Sequence, residues 1–180
     1  MSKGKWKILE TLAVFKNRWV TLIGERLLDN HGNQLNYWRI DRPDSVIVIP
    51  LRKDKLLICS PVYRPGVDME TPDFPGGRLS PDKSPKEAAY EVLERELGLE
   101  RGSLEHMLPV NRKPWLVDSS FSSQKLHVFE AKLKDNCVYS TNMAIECPIQ
   151  ETENILSRLI CLQCRCAFLD WLYQHNKNKN

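Results

Sequence analysis

Between Ser84 and Gly98 the chain spells out one helix with both ends marked, and this constrains the fold more than any other stretch. Ser84 is an N-cap, Pro85 takes the first helical position, and Glu87 stands where its carboxylate can reach back to close a capping box. Gly98 supplies the left-handed residue that ends such a helix, because a residue without Cβ enters that conformation without strain. Ala88, Ala89, Val92, Leu93 and Glu96 share one face at helical spacing, and Glu87, Glu91 and Glu94 share another. A helix that is apolar on one side needs a surface to pack on, and the flanking sequence offers strands.

Three runs ahead of Pro43 are rich in β-branched and aromatic residues: Trp6 to Val14, Trp19 to Leu27, and Asn36 to Ile40. Asp29-Asn30-His31-Gly32-Asn33 reads as the turn of a hairpin between the last two. Arg42-Pro43 closes this unit, since proline forces its predecessor to be extended and has no N–H for a ladder. Residues 1–43 are therefore expected to form an antiparallel β extension. A main domain follows over 44–174. It opens with a hairpin of buried strands, Ser45 to Pro50 and Lys55 to Ser60, turning at Arg52-Lys53-Asp54. A loop rich in proline and glycine runs from Pro61 to Gly77, and Trp115 to Val117 and Lys125 to Leu133 read as further strands. Ile155 to Leu172 has the spacing of a packed helix that can break near Cys161, and 175–180 is too polar to pack and is expected to be disordered.

Composition removes several functions. A chain of 180 residues with 42% hydrophobic content can bury a core unaided. Its apolar runs fall far short of the ~20 residues a membrane span requires. The start of the sequence does not resemble a secretory signal, so a cytoplasmic location is expected. The net charge is only +3, much of it from lysines near the two ends, and no basic stripe interleaved with aromatics points to nucleic acid. The six cysteines do not form a disulfide framework. Cys161-x-x-Cys164-x-Cys166 has a metal-binding look, but no second pair or histidine accompanies it, so the cysteines read as core thiols. His127, between strand residues, reads as structural.

Residues 77–99, Gly77-Arg-Leu-Ser-Pro-Asp-Lys83 through Glu91-Val92-Leu93-Glu94-Arg95-Glu96-Leu97-Gly98-Leu99, resemble the Nudix box G-x5-E-x7-R-E-U-x-E-E-x-G-U, where U is a bulky aliphatic. Gly77 and Gly98 stand at the family spacing, and Leu93 and Leu99 fall on the aliphatic positions. In that register Lys83 replaces the first glutamate, Glu91 the arginine, Val92 the next glutamate and Arg95 one of the final pair. Only Glu96 survives. Slipping the helix by one residue would turn Glu91 and Glu94 about 100° away from the required positions, so misalignment does not restore the acids. The family needs those acids because clustered oxygen ligands hold the divalent cations that neutralise a diphosphate and activate water.

The resemblance extends to the ADP-ribose pyrophosphatase branch. Glu70-Thr-Pro-Asp-Phe-Pro-Gly-Gly-Arg-Leu79 is similar to its segment leading into the box, and Arg42-Pro43 and Tyr63-Arg64 are similarly arranged. The branch carries a candidate catalytic glutamate in a later loop, where this chain has Gln124, and an amide cannot accept a proton usefully.

The resemblance implies a Nudix α/β/α sandwich with a mixed sheet, preceded by an N-terminal extension that pairs two chains into a homodimer. It also implies a protein that binds a nucleotide diphosphate such as ADP-ribose with little or no hydrolysis. The implied substrate contacts are Trp19, Arg64, Gly76, Gly77, Arg78, Lys83, Arg95 and Gln124. Glu96 is, by the same resemblance, the retained catalytic acid and the sole metal ligand. No cofactor is expected unless the chain is active, when Mg²⁺ or Mn²⁺ is required. An active hydrolase with a rearranged site, using Glu96 with Glu70 or Asp73, is the rival reading, and a protein-interaction scaffold is a third. Lys83 and Arg95 either contact the diphosphate in place of metal or pair with Glu96, Glu94 or Asp82. Arg64 either contacts substrate or holds its loop to Asp68 or Asp73. Trp19 and Trp38 either stack a base or serve as core or dimer contacts.

Overall fold

A computed structural model describes residues 4–177. The chain divides into two compact units: residues up to Asp44 with Leu116–Lys125, and Ser45–Trp115 with the chain from Leu126 onward.

In the first unit β1 (Lys7–Lys16), β2 (Thr21–Leu28) and β3 (Gln34–Asp41) form an antiparallel sheet in that order. The β2–β3 turn follows from its residues. Asp29 accepts from the backbone N–H groups of His31 and Asn33, each at 2.8 Å, and Gly32 takes a positive φ of 87°. Gly24 is required because the Trp38 ring lies across it: a Cβ there would sit 2.7 Å from ring carbons. Glu25 is buried, and Arg39 on the neighbouring strand donates to both its oxygens, at 2.9 and 3.2 Å. The unit also holds a segment that sequence patterning did not assign to it. The Ile40 N–H donates to the Phe121 carbonyl at 2.7 Å, and the Ser123 N–H donates back to Ile40 at 3.1 Å.

The second unit is built on a mixed sheet. Its strands are β4 (Ser45–Arg52), β5 (Lys55–Cys59), β8 (Gly76–Arg78), β9 (Leu104–Pro109), β10 (Trp115–Leu116), β11 (Lys125–Leu133) and β12 (Ala144–Pro148), while β6 (Val62–Arg64) and β7 (Met69–Thr71) form a separate hairpin. The order is β10-β11-β4-β5-β12, with β8 on β4 and β9 on β11. β4 and β11 are parallel, whereas β9 on β11, β12 on β5, β5 on β4 and β8 on β4 are antiparallel. The expected loop from Pro61 to Gly77 therefore contains three short strands, and β9 and β12 had no expectation in the sequence.

Alternation on β4 sends Val46 and Val48 to one face, where they pack with Ala88, Ala89, Val92, Leu93 and Leu97 of α1 (Pro85–Leu97). The opposite face of the sheet carries α3 (Leu162–Lys177), whose Trp171 indole N–H donates to Glu130 on β11. This is the α/β architecture with a mixed sheet between helices that the sequence led to expect. α2 (Thr152–Arg158) ends before Cys161, and the Arg165 guanidinium donates to the Leu159 carbonyl at 3.1 Å and to that of Leu156, which satisfies acceptors the broken helix leaves open. α3 runs on through Lys177, past Leu172 where the helical spacing in the sequence ended, and the His175 ring stacks on Trp171 at 4.7 Å. The remainder of the expected disordered tail, 178–180, lies outside the described residues. Of the six cysteines Cys147 and Cys164 are buried, Cys59 and Cys137 are partly buried against the core, Cys161 is half-buried and Cys166 is exposed.

Candidate functional site

The helix ends are formed as the sequence dictates. The Ser84 side chain accepts from the Glu87 N–H, the Glu87 carboxylate accepts from the Ser84 N–H at 2.9 Å, and Gly98 is left-handed at φ 68°. That fixes the rotation of α1. Its buried face is Ala88, Ala89, Val92, Leu93 and Leu97, whereas Glu87, Glu91 and Glu94 lie in solvent.

Glu96 sits at the margin of the buried face and points at β8. One carboxylate oxygen, Oε2, accepts from the Gly76 N–H at 3.0 Å and from the Cys59 thiol at 3.7 Å. The other, Oε1, accepts from the Arg95 guanidinium at 2.7 Å, and the same Arg95 nitrogen reaches the Gly76 carbonyl at 3.3 Å. Burial, followed by the Glu96 charge beside it, pushes the Cys59 thiol up to about 12, so it remains a neutral donor. Gly77 has to be glycine here: a Cβ would lie 2.9 Å from Val92 Cγ2 and 3.0 Å from Arg95 Nη2.

The site thus gathers Gly76, Gly77, Arg95 and Glu96, with Arg78 following on the same short strand. Lys83 pairs with Glu91 at 2.5 Å, a partner the sequence reading did not name, and the bond to Glu91 raises the Lys83 pKa. Arg64 pairs with Asp73 at 2.9 Å, the loop-holding alternative. Trp19 and Gln124 belong to the first unit. Trp19 is exposed with the Arg18 guanidinium 4.2 Å from its ring centre. Gln124 is buried, donating to the Pro43 carbonyl at 3.1 Å while its Oε1 has no partner. Cys59 was missed by the sequence reading. Its signal was faint: a cysteine ending a buried strand, with nothing local to connect it to Glu96.

A hard divalent cation does not fit the residues around Glu96. Mg²⁺ and Mn²⁺ take carboxylate oxygens with open lone pairs, and here a single carboxylate already accepts from a guanidinium, a backbone N–H and a thiol. Among the described residues, no group of three acid, histidine or cysteine side chains close enough to share an ion includes Glu96.

No protein-family model and no curated protein matches the chain. Among solved structures it is similar to the crystal structure of an ADP compounds hydrolase, with a TM-score of 0.80, 20% identity, and coverage of 100% of this chain and 98% of that one. Among the described residues, no helix is long and apolar enough to cross a membrane. The chain has the fold of that structure, an α/β arrangement with a mixed sheet between helices.

Proposed function

We propose that the chain binds a nucleotide diphosphate of the ADP-ribose kind at the loop from Gly76 to Lys83 and does not hydrolyse it by metal catalysis. The observation that carries this reading is the state of Glu96, whose two oxygens are both engaged, one of them by Arg95. An acid held in this way is poorly placed either to ligate a metal or to take a proton from water. The cations that replace the box acids are positioned for an anion instead. Arg95 and Lys83 are 57% and 37% exposed, so solvent-borne phosphate can reach both. Solvent-exposed ion pairs of this kind are weak and can be exchanged for phosphate oxygens. The similarity in fold to an ADP compounds hydrolase supports the ligand class.

Calorimetry with ADP-ribose in EDTA tests this directly. Binding by wild type that weakens about 10–100-fold in Arg95→Ala is expected from loss of a charge-assisted hydrogen bond. Absence of binding, or equal binding by Lys83→Ala/Arg95→Ala, overturns it. The same fold also favours the rival hydrolase reading, and product analysis with ADP-ribose and Mg²⁺ or Mn²⁺ separates the two: turnover that vanishes in Glu96→Gln establishes the hydrolase. We include in the proposal a cytoplasmic homodimer paired through the N-terminal sheet, where Ile8, Val14 and Phe15 are exposed. Light scattering should show two chains per particle.

A further inference from the structure

The cysteines of α3 lacked further ligands in the sequence, and the fold supplies one from about ninety residues away. Cys161 precedes α3 and Cys164 lies in its first turn; Cys164 is buried and Cys161 is half-buried. Asp73, on the segment between β7 and β8, brings a carboxylate oxygen to them. The two Sγ atoms and that oxygen all lie within 4.8 Å of one another. Phe74, the next residue, is buried and packs on Phe168 of α3, with ring centres 6.2 Å apart, which anchors the segment against the helix.

Asp73 is unusual in its hydrogen bonding. Its Oδ2 accepts from Arg64 at 2.9 Å and from Thr71 at 3.3 Å, whereas Oδ1 is buried with no partner at all. Leaving a buried acceptor empty is unfavourable, so it calls for a ligand. Charge gives the sign of that ligand. Once both thiols have given up their protons on binding a metal, two thiolates and a carboxylate carry three negative charges, and Arg64 offsets one, leaving a divalent cation to neutralise the rest.

We propose that Asp73, Cys161 and Cys164 bind a thiophilic divalent cation of the zinc class. Tetrahedral zinc takes sulfur at about 2.3 Å and oxygen at about 2.0 Å, so its ligands stand roughly 3.5–3.8 Å apart, a small contraction of the cluster. Two soft sulfurs select zinc over magnesium, which prefers an all-oxygen octahedron. Three protein ligands leave a fourth position for water on the solvent side of Cys161. Arg64 is a positioning residue that orients the Asp73 carboxylate, as hydrogen-bonded partners of metal ligands do. The site shares no residue with the loop proposed for the diphosphate, and neither proposal depends on the other.

The test uses the full chain, reduced and stripped with chelator, and titrated with Zn²⁺ against a chromogenic competitor and separately with Co²⁺. One zinc per chain is expected, together with a thiolate-to-cobalt charge-transfer band. Both should be lost in Cys161→Ser/Cys164→Ser and kept in Cys166→Ser, and Arg64→Ala should weaken zinc about 10–100-fold. Asp73→Asn, which preserves volume, gives a second reading should the double variant fold poorly, and it too should weaken binding at least tenfold. No zinc uptake, zinc that survives the double substitution, or a Cys161–Cys164 disulfide forming in the presence of zinc would each overturn the proposal.

Discussion

Arg95 and Glu96 are consecutive on α1, yet the guanidinium of one binds the carboxylate of the other at 2.7 Å. Adjacent residues on a helix point about 100° apart and do not normally face each other. They meet because the Arg95 side chain turns over the Gly76–Gly77 strand, where its nitrogen also reaches the Gly76 carbonyl at 3.3 Å. Arg95 thereby occupies Glu96 with a fixed positive charge.

Removing those cations should open the site to metal. In Lys83→Glu/Arg95→Glu two cations, one of them bound to Glu96, become acids, and Mg²⁺ or Mn²⁺ should raise the melting temperature. At a concentration 100 times Kd the gain is about 2.7 kcal/mol. Wild type should show no shift. A wild-type shift equal to that of the variant would show that Arg95 does not exclude metal.

Gly77→Ala tests the close approach of loop and helix. The added Cβ would stand 2.9 Å from Val92 Cγ2, and Val92 is a stiff, buried side chain that cannot swing away. Overpacking of this kind costs about 1–3 kcal/mol, measurable as a lower urea midpoint at unchanged slope. The Arg95 head, 3.0 Å from the same Cβ, should be pushed off the loop, so ADP-ribose affinity should fall as well.

The elements legible in the sequence are those whose signals are local. α1 carries its own cap, terminator and apolar face, and β4 and β5 are continuous apolar runs around a turn whose Lys53 takes a positive φ of 54°. β9 and β12 escaped because each depends on a distant partner. Pro109 pairs with Phe129 and Ala144 with Cys59, and neither short segment has the alternation that would mark it alone. The segment Leu116–Lys125 escaped for the same reason, since its membership of the first unit rests on bonds to Ile40, Pro43 and Asp44. That Lys83 and Arg95 stand at positions where a Nudix box carries acids was legible as a resemblance of register. Which carboxylate each would choose was not, because Lys83 reaches Glu91, two turns along the surface of α1, by virtue of the loop path before Ser84.

Ser84→Ala should destabilise the chain by about 1 kcal/mol by removing the cap. The loss should depend on pH. Hydrogen bonds from Ser84, first from its side chain and then from its backbone, hold the Glu87 carboxyl below its ordinary value of 4.5. A carboxyl with a depressed folded pKa contributes stability that is present above the unfolded value and lost as pH falls through the folded one. The gap between wild type and Ser84→Ala, followed by urea unfolding, should therefore be full at pH 7 and narrow on acidification below 4.5. A gap that widens on acidification would mean that Glu87 is not part of the cap in solution.

Cys161 should be the first thiol alkylated at neutral pH in chain stripped of metal. The Cys164 thiol donates to it, and the Cys164 and Gln163 N–H groups at the start of α3 add to this, against burial and the Asp73 charge. Together they hold Cys161 down at about 6, below the ordinary thiol value of 9.0. Its thiolate is favoured in the folded state, so this contribution to stability is present above the unfolded pKa and fades as pH drops through about 6. Cys166 is more exposed, and exposure alone would make it react first. Peptide mapping after brief iodoacetamide treatment at pH 7 decides between the two. Label on Cys161 ahead of Cys166, fading near pH 6 and blocked by stoichiometric zinc, is the expected pattern. Label on Cys166 first, with Cys161 reacting only in alkali, would mean that the start of α3 does not stabilise the thiolate.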